Sequence, residues 1–123
     1  MPRLTRAAIV ALGYVLLVDC GDAGDPPVVE VIYYRDADSR QCEPSKLTST
    51  NLSALATELA NGGVAVSSMA CAVRTDTRYA AFCGGVMGDI WLVGTERTPS
   101  EIMRAQGFAP ITEVRGYSEV ACK

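Results

Sequence analysis

The first twenty residues constrain this chain most, because their composition sets them apart from the part that folds. Arg3 and Arg6 precede an apolar run from Ala7 to Val18, and Cys20 follows two residues later. A basic start followed by a short apolar run is typical of a secretion signal, and the run is shorter than the roughly 20 residues that span a bilayer. We therefore predict that residues 1–19 are a signal peptide and that the remainder works outside the cytoplasm.

The residues Leu17–Cys20 (LVDC) resemble the lipobox of bacterial lipoproteins. In that family the cysteine receives the lipid and becomes the first mature residue, so the resemblance implies lipidation at Cys20. Gly21 after it would favour sorting to the outer membrane. Asp19 stands where the family has a small residue, and ordinary cleavage after Ala23 or an uncleaved helix are the alternatives.

The remaining chain is long enough for one domain with a modest core. Residues 20–27 are a short polar linker, and 28–123 are predicted to form a single α+β domain. Loss of Arg3, Arg6 and Asp19 changes the formal net charge from −3 to −4. The basic residues are scattered, so we expect no nucleic-acid partner, because phosphate binding requires clustered Lys and Arg.

The chain after Cys20 contains four cysteines, Cys42, Cys71, Cys83 and Cys122, and an even number in an exported domain implies two disulfides. Three pairings are possible. We favour Cys71–Cys83, because these residues flank a predicted hairpin, together with Cys42–Cys122. Each bond is expected to stabilise the fold by about 2–4 kcal/mol.

Hydrophobic periodicity and turn residues predict two helices among several strands. The order is strand, helix, strand, strand, helix, strand, with a short extra strand at the hairpin. This order predicts an α+β fold with a small antiparallel sheet, two helices on one face and a split β-α-β, ferredoxin-like outline. The strands are Val28–Arg35, Val64–Val73, Arg78–Cys83, Asp89–Val93 and Ile111–Val114; the helices are Leu52–Ala60, capped by Thr50 or Asn51, and Pro99–Ala105, capped by Thr98 with Glu101.

The absence of histidine removes most catalytic schemes and weakens transition-metal sites. A Ser–Lys dyad of Ser67 or Ser68 with Lys46, and a Ca²⁺ site at Asp36 and Asp38, are open on composition alone. The serines are predicted to lie on a strand, and the two aspartates lie in a turn whose charges neutralise each other. Both observations favour structural roles for these residues. We therefore predict no catalytic, cofactor-binding or metal-binding residues, and core positions for Met69, Phe82, Met87 and Trp91.

Two resemblances extend this interpretation. Tyr34-Arg35, Asp38-Ser39-Arg40, Ser67-Ser68 and Glu119 resemble the motifs of pertussis- and cholera-type ADP-ribosyltransferase toxins. That resemblance implies that Arg35 grips a dinucleotide and Glu119 polarises its ribose. Tyr117 stands where that family has Glu or Gln.

The second resemblance covers nearly the whole chain and is to a group of small bacterial exported lipoproteins. It rests on Cys20-Gly21-Asp22, Ser39–Glu43 (SRQCE), Ala81–Gly84 (AFCG), Gly107–Pro110 (GFAP) and Cys122. It implies no activity that can be carried over. We expect a non-catalytic protein, lipid-anchored at the periplasmic face of the envelope, that binds an envelope protein or component. An inhibitor or immunity-type partner, and an ADP-ribosyltransferase-like enzyme, are the alternatives.

Overall fold

The computed structural model describes residues 29–123, so the predicted signal peptide, the lipidation site at Cys20 and the linker lie outside the described residues. The described part contains five strands, two α-helices and a short 3₁₀ helix. In chain order they are β1 Val31–Asp36, α1 Ser49–Asn61, β2 Val66–Arg74, β3 Asp89–Thr95, α2 Ser100–Ala105, β4 Ala109–Pro110, the 3₁₀ helix Ile111–Glu113 and β5 Tyr117–Val120.

The strands form one sheet in the order β4-β1-β3-β2-β5, in which every neighbouring pair is antiparallel. Strand β3 lies between β1 and β2, which α1 connects, and this is the split β-α-β arrangement. The predicted α+β class, with an antiparallel sheet, two helices and two disulfides, is confirmed. Strand β5 extends that arrangement by one strand beside β2.

The main core lies between the helices and one face of the sheet. Helix α1 contributes Leu55 and Leu59 and α2 contributes Met103, and they pack with Tyr33, Trp91, Val93 and Cys71 of the sheet. On the opposite face a smaller cluster is centred on Ala72, Ile90 and Leu92, and neither α-helix contributes to it. All seven residues of β3 are buried, as expected for the central strand.

Helix α1 begins three residues earlier than predicted, because Thr48 rather than Thr50 or Asn51 is its N-cap. The Thr48 hydroxyl accepts a hydrogen bond from the Asn51 amide at 3.1 Å. The helix ends at Asn61, as Gly62 and Gly63 predict, and Gly63 has a positive φ of 82° that favours glycine.

The predicted cap of α2 is wrong. Pro99 takes the N-cap position and no side chain caps the helix. Thr98 instead accepts a hydrogen bond from the Ala65 amide at 3.0 Å, so its hydroxyl joins two loops.

Two predicted strands are also wrong. Residues 78–83 form no strand, because both edges of β2 are already occupied, by β3 and by β5. Residues 111–113 form the 3₁₀ helix, and the last strand is β5, which lies in the segment predicted to be a short tail. The pairing of β5 with β2 is thus a tertiary contact that replaces the expected local hairpin.

The disulfide pairing follows from this change and differs from the favoured one. The bonds are Cys42–Cys83, with Cα atoms 5.0 Å apart, and Cys71–Cys122, with Cα atoms 5.5 Å apart. Cys71 lies opposite Val120 in the sheet, which brings Cys122 beside it. Without the hairpin, Cys83 is left in a loop that pairs with the loop of Cys42 through Gln41 and Gly85.

Both disulfides indicate an oxidising, extracytoplasmic compartment. Within residues 29–123, no helix combines the length and the apolar character needed to cross a membrane.

Candidate binding site

The residues that the toxin resemblance implicates do not meet in one cleft. Arg35 lies opposite Trp91 on the helix-covered face of the sheet. Glu119 lies opposite Ala72, on the other face. The Ser67 hydroxyl donates to the Glu30 carboxylate near the far end of β2. The sheet itself therefore separates the arginine from the glutamate, and the geometry does not support the transferase arrangement.

The residues considered for a Ser–Lys dyad and for a Ca²⁺ site do not form such sites. Lys46 lines a cleft beside Trp91 on the helix-covered side, whereas Ser68 lines a groove on the other face. Asp38 forms ion pairs with Arg40 at 2.7 Å and with Lys46 at 3.7 Å. No group of three or more potential metal ligands occurs among residues 29–123.

Within residues 29–123, three concave surfaces are candidate sites. We call them the arginine cleft, with a volume of about 380 Å³, the sheet-face groove, with about 200 Å³, and the Asp89 pocket, with about 260 Å³. The arginine cleft is lined by Arg35, Ala37, Lys46, Asn51, Ala54, Leu55, Glu58 and Trp91; the sheet-face groove by Ile32, Ser68, Met69, Ala70, Leu92, Tyr117 and Glu119; the Asp89 pocket by Ser45, Leu47, Val73, Met87, Asp89, Val120, Ala121 and Lys123.

The arginine cleft is open and its main cation is already engaged. The Arg35 guanidinium donates to the Gln106 carbonyl at 3.1 Å and to the Glu58 carboxylate at 3.3 Å. It also lies over the Phe108 ring, 5.0 Å from its centroid. These contacts join β1, α1 and the end of α2, which assigns Arg35 a structural role.

The Asp89 pocket is mainly apolar and contains a buried carboxylate. Asp89, the first residue of β3, is only 4 % exposed. Its carboxylate accepts a hydrogen bond from the Ser45 hydroxyl at 2.7 Å. A largely apolar cavity with few well-placed polar groups is the usual composition of a ligand site.

Backbone hydrogen bonds hold the walls of the Asp89 pocket. The Lys123 amide donates to the Leu47 carbonyl at 2.9 Å, and the Lys123 carbonyl accepts from Ser49 at 2.7 Å. The chain after β5 is thereby fixed against the loop that leads into α1.

The two disulfides reinforce the same walls. Cys71–Cys122 attaches the segment that carries Val120, Ala121 and Lys123 to β2. Cys42–Cys83 joins the loop that leads to Ser45 with the loop that leads to Met87. The pocket therefore lies where both cross-links hold chain segments together.

The surface near this pocket exposes large apolar side chains. Val120, which lines the pocket, is 39 % exposed, and the loop that supplies Met87 also carries Phe82 at 62 % and Val86 at 45 %. Large exposed apolar side chains that form one patch are typical of a binding surface, and these three lie on segments that line the pocket or lead into it.

The core positions predicted for the four large side chains are thus only partly correct. Trp91 is buried and Met69 packs against the main core, but Phe82 is exposed and Met87 lines the pocket. The sequence interpretation missed the pocket because its residues come from four separate segments.

One ion pair outside the pocket shapes the loop after β2. The Arg74 guanidinium and the Asp76 carboxylate form two hydrogen bonds, both of 2.9 Å. The hydrogen bonds from Arg74 lower the pKa of Asp76 well below its usual range, and the Arg115 amide adds to this effect. The pair turns the chain out of β2 and ties it to the segment before β5.

Comparisons with known proteins assign no relative. No family model matches the chain, and neither a curated protein nor a solved structure matches it.

Proposed function

We propose that this protein is a small exported envelope protein, lipid-anchored at Cys20, that binds an envelope component without catalysing a reaction. The binding site is the Asp89 pocket together with Phe82 and Val86 of the neighbouring loop. One observation carries the proposal: an apolar pocket held by both disulfides is lined in part by exposed Val120 and by Met87, whose loop also carries exposed Phe82 and Val86.

The anchoring part of the proposal is supported by the Leu17–Cys20 pattern and by the disulfides, which belong to an oxidising compartment. Labelling of cells with radioactive palmitate tests the lipid anchor directly. Wild-type protein is expected to carry the label and Cys20→Ser to lose it. Equal labelling of the two proteins would show that Cys20 is not the anchor.

The binding part is tested by photo-crosslinking in intact cells. A photoreactive phenylalanine replaces Phe82, and a matched protein carries it at Tyr117, an exposed aromatic residue on the face of the sheet that neither α-helix covers. We expect position 82 to capture a discrete partner and position 117 not to do so. The same adducts at both positions, or none at position 82, would refute this placement of the site.

The identity of the captured partner also separates the related alternatives. An enzyme or toxin as the partner would indicate an inhibitor or immunity role, and a structural envelope component would indicate the broader binding role.

A further inference from the structure

We infer that the Asp89 pocket accepts an aliphatic ammonium group, with the Asp89 carboxylate as its counter-charge and the apolar walls around its methylenes. This inference rests on the proposed function, since it takes the Asp89 pocket as the binding site. It adds the chemical class of the ligand, which the apolar surface alone does not specify.

The Asp89 carboxylate is buried with few hydrogen-bond donors around it. Asp89 is 4 % exposed, and Ser45 supplies its side-chain hydrogen bond. Among residues 29–123, no Lys or Arg nitrogen lies within 4.0 Å of its oxygens. Burial of a carboxylate is costly unless a cation or several donors compensate it. A carboxylate has about four acceptor positions, so Asp89 retains capacity for an ammonium group.

The walls of the Asp89 pocket are mainly apolar. Apolar side chains from β2, from β5 and the residue after it, and from two loops line the pocket together with Asp89: Leu47, Val73, Met87, Val120 and Ala121. The volume of about 260 Å³ corresponds to about nine water molecules at ~30 Å³ each. A chain of four to six methylenes that ends in an ammonium group is therefore of a suitable size, with apolar contacts along its length.

One cationic residue, Lys123, lines the Asp89 pocket. Lys123 is exposed, so its long side chain can keep its ammonium in water while the Asp89 carboxylate stays buried. An anionic ligand would instead place a second negative charge beside a buried carboxylate, which is strongly unfavourable. Charge and shape together favour a cationic, aliphatic ligand.

The experiment uses the mature protein with both disulfides intact and follows its amide resonances by NMR. The probes are n-pentylammonium and the matched neutral n-pentanol. We expect the ammonium to bind roughly tenfold or more tightly than the alcohol, because a hydrogen bond to a charged partner is stronger than a neutral one. The shifted resonances should be those of Ser45, Val73, Met87, Asp89 and Val120.

Two variants test whether the charge of Asp89 causes the preference for the ammonium probe. Asp89→Asn keeps an acceptor for Ser45 but removes the charge, so the preference for the ammonium should disappear. Glu96→Gln removes an exposed carboxylate elsewhere and should leave it unchanged. If Asp89→Asn does not fold, the ratio of the two affinities in the wild-type protein decides the question. Equal binding of the two probes, or shifts confined to other residues, would overturn the inference.

A third probe identifies the source of the ammonium. Nα-acetyl-lysine methylamide carries the same group on a peptide unit, so binding at least as tight as that of n-pentylammonium indicates a lysine of a partner protein. Tight binding of n-pentylammonium alone indicates a free amine. These titrations need no cellular partner, so the inference can fail while photo-crosslinking at position 82 still succeeds, and the reverse also holds.

Discussion

Removal of each disulfide tests whether the cross-links act as the structure indicates. The two bonds close loops with sequence separations of 41 residues for Cys42–Cys83 and 51 residues for Cys71–Cys122. In the loop-entropy treatment these lengths give nearly the same stabilisation, roughly 4 kcal/mol each. Chain entropy alone therefore predicts that the two variants, with both cysteines of one pair replaced by alanine, are almost equally destabilised.

Burial makes the two pairs unequal. Cys71 is fully buried in the main core, whereas Cys42 and Cys83 are both exposed. Cys71→Ala in the Cys71/Cys122 pair leaves a small cavity that costs roughly 1 kcal/mol more. We therefore expect losses of about 4 kcal/mol for the surface pair and about 5 kcal/mol for the buried pair, which are large fractions of a typical domain stability.

Urea unfolding of the oxidised proteins, followed by circular dichroism, measures these losses. Hydrogen exchange adds a local readout: β5 is an exposed edge strand, so its amides should lose protection when Cys71–Cys122 is absent and keep it when Cys42–Cys83 is absent. A loss of stability below about 1 kcal/mol for either pair would contradict the stabilising role of the disulfides. A larger loss for the surface pair than for the buried pair would contradict the role given to burial.

Three further predictions concern other contacts. The pKa of Asp76 is lowered in the folded protein, so the stability that it contributes is present above an ordinary aspartate pKa of about 4 and is lost as the pH falls below it. Urea midpoints between pH 6 and pH 2 should therefore fall more steeply for the wild type than for Asp76→Asn, and parallel curves would contradict this. Arg35→Met should cost about 1–2 kcal/mol in the same assay at neutral pH, because it removes a charged hydrogen bond to Gln106 and the contact with Phe108; a change within 0.3 kcal/mol would show that these contacts contribute little. The oxidised mature protein should be about 4 Da lighter than its reduced form, and peptide mapping should recover Cys42 with Cys83; a peptide that joins Cys71 to Cys83 would contradict the pairing.

Several parts of the fold follow from local sequence. The run Asp89–Val93 is apolar on both faces, and it forms the buried central strand. The spacing of Leu55 and Leu59 marks the buried face of α1, and the glycines after Asn61 mark its end. These features depend on residues close together in the chain, where the period of burial is visible without knowledge of the rest.

The incorrect strand at residues 78–83 and the incorrect disulfide pairing have one common origin. Residues 78–83 follow a turn sequence directly after β2, which predicts an antiparallel return strand, but β5 takes the edge of β2 that such a hairpin would need. Placement of Cys83 opposite Cys71 depended on that hairpin, so the disulfide pairing was wrong for the same reason. Competition between a local and a distant partner for one strand edge cannot be decided from the pattern of either segment.

The amino-acid order alone was sufficient for the α+β class, the central strand, the helices and the use of all four cysteines after Cys20, because periodicity and cysteine number are properties of the chain itself. Only the folded arrangement determined which cysteines meet, that Arg35 and Glu119 lie on opposite faces, and that Ser45, Asp89 and Val120 line one pocket. These outcomes depend on long-range strand pairing, in which residues far apart in the chain become neighbours through backbone hydrogen bonds that no side-chain pattern specifies.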